Sequence, residues 1–334
     1  MQARFDVRPM DEDGYAVWLL EDAAARSRVW VCPALGLNAY RFTVPLGGRA
    51  QDIIESPPRL TEIAARPSAY GLPILFPFPG RIRSGRFRFG DREYLLSHKN
   101  PSGHASHGFV LDRPWQIVTS GAEGGAVLLG RIESRTFPEL ASQYPSAFRL
   151  DVRYCLHGWR LTVEACAQNI GSEALPVGYG LHPYLRAPIA DSSTAALCTV
   201  RVPAVLQWEL VEMLPTGRLL PADPALAAGL PLAGRRLDDV FTASVSSPGG
   251  SSCALIDAGS GARVAVEAEG DLRHWVVYTP PRPAVCFEPY TCVPDALNLQ
   301  PQGIEAGLIV LQPGEMRRWV ARVVVQTQSD LGGE

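Results

Sequence analysis

Residues 148–169 read FRLDVRYCLHGWRLTVEACAQN. Leu150, Val152, Tyr154 and Leu156 alternate with Arg149, Asp151 and Arg153. After His157-Gly158 the alternation resumes through Leu161, Val163, Ala165 and Ala167. A period of two places one set of side chains on a buried face and the other in solvent. Two such runs joined by a glycine-containing turn predict a β-hairpin, with strands at 148–156 and 159–169.

The same signature extends outward in both directions. YAVWLL (15–20) and SRVWVC (27–32) are separated by an acidic, alanine-rich link. GRFRFGDREYLL (85–96) alternates Phe87 and Phe89 with arginines and turns at Gly90-Asp91, which predicts another hairpin. ARVAVEAEG, HWVVYTP, AVCFEPYT and RRWVARVVVQTQ carry the pattern through the C-terminal third. The 31 glycines and 29 prolines are spread along the chain, as many short strands joined by turns require. RLTEIAAR (59–66) and PELASQY (138–144) each have room for two helical turns. No amphipathic pattern persists long enough for the crossover helix of a parallel sheet. The expectation is an all-β protein of large antiparallel sheets with few short helices, a single domain over residues 1–334.

Composition narrows the function classes. Of 334 residues, 46% are hydrophobic and 19% charged, enough apolar material for a large core. The formal net charge of −3 comes without long runs of one sign, which argues against nucleic acid or a polybasic membrane role. Apolar runs fall well short of the roughly 20 residues of a membrane span, and the N-terminal MQARFDVRPMDEDGY lacks a signal-peptide core. The seven cysteines form no Cys-x-x-Cys pair; Cys155 and Cys286 read as small buried hydrophobes in strands. A cytoplasmic protein, monomer or homodimer, is expected.

No nucleotide-cradling glycine loop is present, and GHASHG (103–108) misses the Gly-x-Ser-x-Gly spacing by one residue. No cofactor is expected. His104 and His107 form His-x-x-His in a loop-like stretch, but a metal needs further ligands, so no metal site is expected and His104 reads as a solvated loop residue. More informative are GLHPY (180–184) and FEPY (287–290), where His182 and Glu288 each precede Pro-Tyr. Proline disfavours the α region for the residue before it, so both backbones are restricted towards extended conformations. That restriction serves an aimed side chain or an ordinary strand end. One acid and one base without a nucleophile or metal suit a reaction that only moves protons. Among Arg81, Arg83, Arg86 and Arg88, the last two should lie on the solvent face of their strand, while Arg81 follows a Phe-Pro-Gly turn that can present it to a cleft.

Five segments in order resemble the aldose 1-epimerase (galactose mutarotase) family: GLPILFPFPGRIRSGRFRFGDREYLL, ASHGFVLDRPWQI, GYGLHPYLRAP, LDDVFTA and VCFEPYTCVPDALNL. The resemblance spans most of the chain. It implies a β-supersandwich with an open sugar-binding cleft and a monosaccharide substrate. It implies Glu288 as general base, His182 as general acid, and Arg81, His107 and Asp238 as substrate ligands, with Asp239 as the alternative to Asp238. Gly80 stands where the family usually has asparagine, which removes an amide contact, and HGFVLDRPW is the compact form of its segment. The implied reaction is interconversion of the α and β anomers of a free aldose, with His182 and Glu288 converging on the hemiacetal from opposite sides. Trp115, Trp208, Tyr179 or Tyr184 offer candidate stacking platforms. Alternatives are a hexose-6-phosphate mutarotase using the arginine cluster, and a non-catalytic carbohydrate-binding or sensor protein. A glycosidase using Glu288 and Asp238 is a third.

Overall fold

In the computed structural model, residues 3–243, 250–327 and 330 are described. The segment read first is the hairpin expected: Phe148–His157 pairs with Arg160–Asn169 in continuous register from Phe148↔Asn169 to His157↔Arg160. The turn is Gly158-Trp159, one residue later than the alternation alone indicates. Gly158 occupies its first position at φ 61°, the sign that two-residue hairpin loops favour. Leu150, Val152, Tyr154 and Leu156 are fully buried, as their phase requires.

This hairpin is central to a nine-stranded sheet that runs from Gln116–Gly121 through Ala126–Glu133, the hairpin, Met316–Thr327, Ala262–Ala268, Ser251–Asp257 and Cys198–Arg201 to Leu230–Pro231. A five-stranded sheet is formed by consecutive strands from Phe5–Glu12 to Arg49–Asp52 and packs on one end of it. Facing it from the other side is an eight-stranded sheet, in which Leu214–Pro221, Ala204–Val211, Asp238–Ala243, His274–Tyr278 and Ala284–Tyr290 lie side by side. Every pair of named strands is antiparallel, as short turns permit. Of the two predicted helices, Leu60–Ala65 forms, whereas 138–144 contains only a single 3₁₀ turn at Pro138–Leu140. No helix among the described residues is long and apolar enough to cross a membrane. All seven cysteines are free thiols; Cys286 is buried and Cys155 half-buried.

The eight-stranded sheet sorts its side chains sharply. Phe241, Trp275, Val277, Val285 and Phe287 point into the core between sheets. Each such burial contributes roughly 1.5–3 kcal/mol. Alternation then sends Asp238, Val240, Val276, Tyr278, Glu288 and Tyr290 to the other face, which is the floor of a cleft.

Candidate active site

The cleft has a volume of about 210 Å3. That is below the roughly 300–1,000 Å3 of drug-sized sites and suits one small polar ligand. Its floor is a grid set by register. Val240 pairs with Val276 and Val276 with Glu288; Asp238 pairs with Tyr278, Tyr278 with Cys286, and Cys286 with Tyr184. The strand bearing Gly180 also flanks Ala284–Tyr290, at Gly180↔Tyr290. Counting between Gly180↔Tyr290 and Tyr184↔Cys286 puts His182 directly across from Glu288. The ring Nε2 of His182 lies 3.3 Å from Glu288 Oε1. The two groups are therefore cross-strand neighbours on one surface, not groups facing each other across the cleft. Adjacent antiparallel strands leave no other arrangement for residues in matched register.

Both Pro-Tyr tails act on the ionisable residue two positions earlier, on the same strand face. The Tyr290 hydroxyl donates a short hydrogen bond to Glu288 Oε2. The Tyr184 ring stacks on the His182 imidazole, with centroids 4.7 Å apart and planes 9° apart. The backbone N–H of His182 is fixed by the Pro73 carbonyl at 3.0 Å. This pairing of roles was in the sequence as the repeated Pro-Tyr, yet Tyr290 was not expected at the site. Of the other proposed aromatic platforms, Trp115, Trp208 and Tyr179 are buried in the core: Trp115 donates to the Val110 carbonyl, Trp208 to Thr242, and Tyr179 stacks on Trp319.

Arg81 and His107 form a wall of the cleft. They come from a two-stranded ribbon in which Ser106 pairs with Arg81, and the His107 N–H donates to the Gly80 carbonyl at 2.8 Å. His107 has φ 65°, a left-handed conformation that costs a non-glycine residue on the order of 1–3 kcal/mol and that clusters at functional sites. Its ring lies 5.6 Å from that of His182. Among the described residues, the Arg81 guanidinium has no hydrogen-bond or ion-pair partner in the protein, so its donors are available to a ligand. Gly80, at φ 66°, has no room for a side chain, because a Cβ would come 2.6 Å from Pro294 Cγ. Proline therefore fills the space where the expected amide is missing.

Asp238 lines the cleft, whereas Asp239 faces the other side of its strand and accepts a 2.9 Å hydrogen bond from Gln207. The other three arginines lie elsewhere. Arg83, Arg86 and Arg88 border a separate surface depression, where Arg83 pairs with Asp295 and Arg86 with Glu93. His104 is not a solvated loop residue: it is buried, and its Nδ1 accepts a 3.0 Å bond from the Ser84 N–H. Among the described residues, no group of three or more His, Cys, Asp or Glu side chains is placed to hold a metal ion.

Electrostatics follow from burial. His182 is 5% exposed and Glu288 2% exposed. Burial first, then the neighbouring His107 and the Arg282 and Arg81 charges, pushes His182 well below its usual value of 6.5. Burial likewise raises Glu288 well above 4.5, with Asp238 adding to the rise and the Tyr290 hydrogen bond and Arg81 opposing it. Burial and Arg81 lower His107 to about 4, so it is neutral at pH 7. His182 Nδ1 is buried without a partner in the protein. Both shifts favour the neutral groups, and in that state the pair holds one proton between Nε2 and Oε1, with the other imidazole proton on Nδ1. Such a pair accepts a proton from one oxygen and delivers one to another without changing its own count.

This makes a first prediction. The one-proton state is lost at low pH when His182 gains a second proton, and at high pH when Glu288 gives up its own. The acid limb of kcat/KM should lie well below pH 6.5. Tyr290→Phe removes a donor that favours the carboxylate, so Glu288 holds its proton longer and the alkaline limb should move to higher pH. An alkaline limb that stays put or moves down in a pH–rate profile contradicts the assignment.

The family model described as aldose 1-epimerase matches residues 28–323. A protein of Escherichia coli K12, YihR, described as uncharacterized, is 35% identical over 114 residues. That match takes in 34% of this chain and 35% of the relative, so the chain aligns to about a third of that protein's length. A galactose mutarotase-like protein from Clostridium acetobutylicum superposes with a TM-score of 0.89 at 20% identity, over 97% of this chain and 99% of that one. Galactose 1-epimerase from Lactobacillus acidophilus NCFM superposes with a TM-score of 0.75 at 16% identity, over 98% and 99% of the two chains. At these identities the two structures establish the shared fold, large antiparallel sheets of the galactose mutarotase-like kind.

Proposed function

The chain belongs to the aldose 1-epimerase family, and from that premise we propose that it interconverts the α and β anomers of a free aldose by acid–base ring opening and reclosure. The observation that carries this reading is the 3.3 Å contact between His182 Nε2 and Glu288 Oε1 on the floor of a cleft also lined by Arg81, His107 and Asp238. The anomeric hydroxyl oxygen and the ring oxygen are both bonded to C1, so an acid and a base standing side by side can each reach one of them.

With sugar bound, its hydroxyl hydrogen bonds and the Arg81 charge favour the Glu288 carboxylate, and the shared proton passes to His182. Glu288 takes the proton of the anomeric hydroxyl while His182 protonates the ring oxygen, and the C1–O5 bond breaks. Rotation about C1–C2 presents the other aldehyde face. On reclosure His182 takes a proton back and Glu288 returns one, so both end as they began. Arg81, His107 and Asp238 hold the remaining hydroxyls. Each positioned proton transfer contributes typically ~10²–10⁴-fold. No step requires another reactant.

A neutral sugar fits better than a hexose 6-phosphate. Arg81 is the one member of its arginine cluster in the cleft, and it shares that cleft with the Asp238 carboxyl group, whose charged form repels a dianion. The test is polarimetry on freshly dissolved α-glucose, α-galactose and glucose 6-phosphate. Catalysed mutarotation is expected with at least one neutral aldose, at a kcat/KM above that for the phosphate. Faster turnover of glucose 6-phosphate overturns the substrate assignment, and uncatalysed rates with measurable sugar binding favour a sensor.

A further inference from the structure

Behind His182 lies a run of flat groups that the proton chemistry above does not use. The Tyr184 ring that stacks on the imidazole also carries the Arg282 guanidinium, whose Cζ is 4.8 Å from the ring centroid. The same guanidinium lies 4.4 Å from the centroid of Tyr70. One phenol face cannot hold two stacked planes, so imidazole and guanidinium occupy opposite faces of Tyr184. The order of contact is Tyr70, Arg282, Tyr184, His182. Arg282 is held firmly: its Nε is 2.7 and 2.6 Å from the two Glu55 oxygens, and a terminal nitrogen donates to the Ala69 carbonyl. Tyr184 is fixed as well, its hydroxyl donating to the Ser68 carbonyl at 2.8 Å.

We propose that Arg282 is a positioning residue for the proton pair: through Tyr184 it fixes the plane of the His182 ring against Glu288 and keeps that ring neutral before sugar binds. The proposal rests on the reading of His182 as the acid of an anomer-interconverting pair. Two physical effects support it. A guanidinium fork held by a carboxylate and a carbonyl is rigid, so the phenol on it is a fixed surface for the imidazole. In addition, an imidazolium stacked on Tyr184 would seek the same cation–π attraction that Arg282 already takes from the other face. Two cations across one ring repel, which disfavours protonation of His182. The remaining titratable and charged groups around the imidazole are Glu288, His107, Arg81, Asp238, Tyr278 and Tyr290. Of the groups that oppose protonation, Arg81 and His107 belong to the cleft wall, and Arg282 alone acts from behind.

The experiment uses the full chain in three forms: wild type, Arg282→Met combined with Glu55→Gln, and Arg282→Lys. The double variant avoids leaving a buried carboxylate without its partner. The titration of His182 is followed through its ring ¹⁵N shifts, alongside pH–rate profiles by polarimetry. In the double variant the His182 midpoint should move up towards 6.5, and the acid limb of the rate should move with it. Lysine keeps the charge but not the planar fork, so Arg282→Lys should hold the midpoint near the wild-type position. Its kcat should fall by roughly ten- to a hundredfold with KM little changed, because the ring is no longer held in plane. A purely structural role predicts lower stability with an unmoved midpoint and limb, and that result overturns the proposal, as does wild-type kcat in Arg282→Lys. The NMR titration needs no turnover. A chain that moves its midpoint as expected but catalyses no mutarotation would uphold the coupling and sink the proposed reaction instead.

Discussion

Glu288→Gln is expected to lower kcat for the proposed mutarotation by about 10²–10⁴-fold while leaving sugar affinity within a few-fold of wild type. Glutamine has nearly the same shape, can still accept from Tyr290, and avoids placing an unpaired charge at a position only 2% exposed. What it cannot do is take and return a proton. His182→Asn should have a loss of the same order, since in the proposed mechanism the two groups pass one proton between Nε2 and Oε1. The double variant should be little worse than either single one, because groups that act as a unit are strongly non-additive. Polarimetry on the three variants, with sugar binding measured by calorimetry, decides the matter. Retained turnover in Glu288→Gln would remove the proton pair from the mechanism. Lost binding with unchanged kcat would make Glu288 a ligand instead.

Gly108→Ala is the substitution expected to cost the most stability near the site. Gly108 has φ 79°, and an added Cβ would lie well inside contact distance of the Phe76 carbonyl oxygen and carbon. These are backbone atoms that cannot swing aside. Among the described residues, Phe76 and Gly108 form the one parallel bridge, and the Phe109 N–H donates to that same Phe76 carbonyl at 2.7 Å. A left-handed alanine costs ~1–2 kcal/mol, and overpacking typically adds ~1–3 kcal/mol, so a loss of roughly 2–5 kcal/mol is expected. Chemical denaturation should show a lower midpoint at unchanged slope. Because His107 is the preceding residue, kcat/KM should fall too, through displacement of its ring from the cleft wall. An unchanged midpoint would mean that the loop yields freely, and that the strained His107 conformation is not held by the Gly108 contact.

The parts of this protein legible in its sequence are those set by neighbours along the chain. Alternation over 148–169 identifies the hairpin to within one residue, because a period of two is a local property of extended backbone. The same argument puts Arg86 and Arg88 on the solvent side of their strand while Phe87 is buried. The two Pro-Tyr motifs marked the ionisable residues worth attention, and the ordered segments marked the family. The short helix expected at 138–144 shows the limit of local signals, since its apolar residues pack well enough around a single 3₁₀ turn.

What the sequence alone could not decide was every question about strand-to-strand register. A slip of one residue moves each side chain to the other face of its sheet, so the choice between Asp238 and Asp239 rests on pairing with the distant strand His274–Tyr278. The contact between His182 and Glu288 depends in the same way on strands about a hundred residues apart. So does the finding that they stand side by side on one floor. The burial of His104 against Ser84 and the stack from Arg282 to His182 join segments whose proximity no local pattern encodes. Local chemistry determined that this chain would form strands bearing His182 and Glu288; only the long-range pairing of those strands, driven by burial of their other face, brought the imidazole Nε2 to 3.3 Å from the carboxyl Oε1.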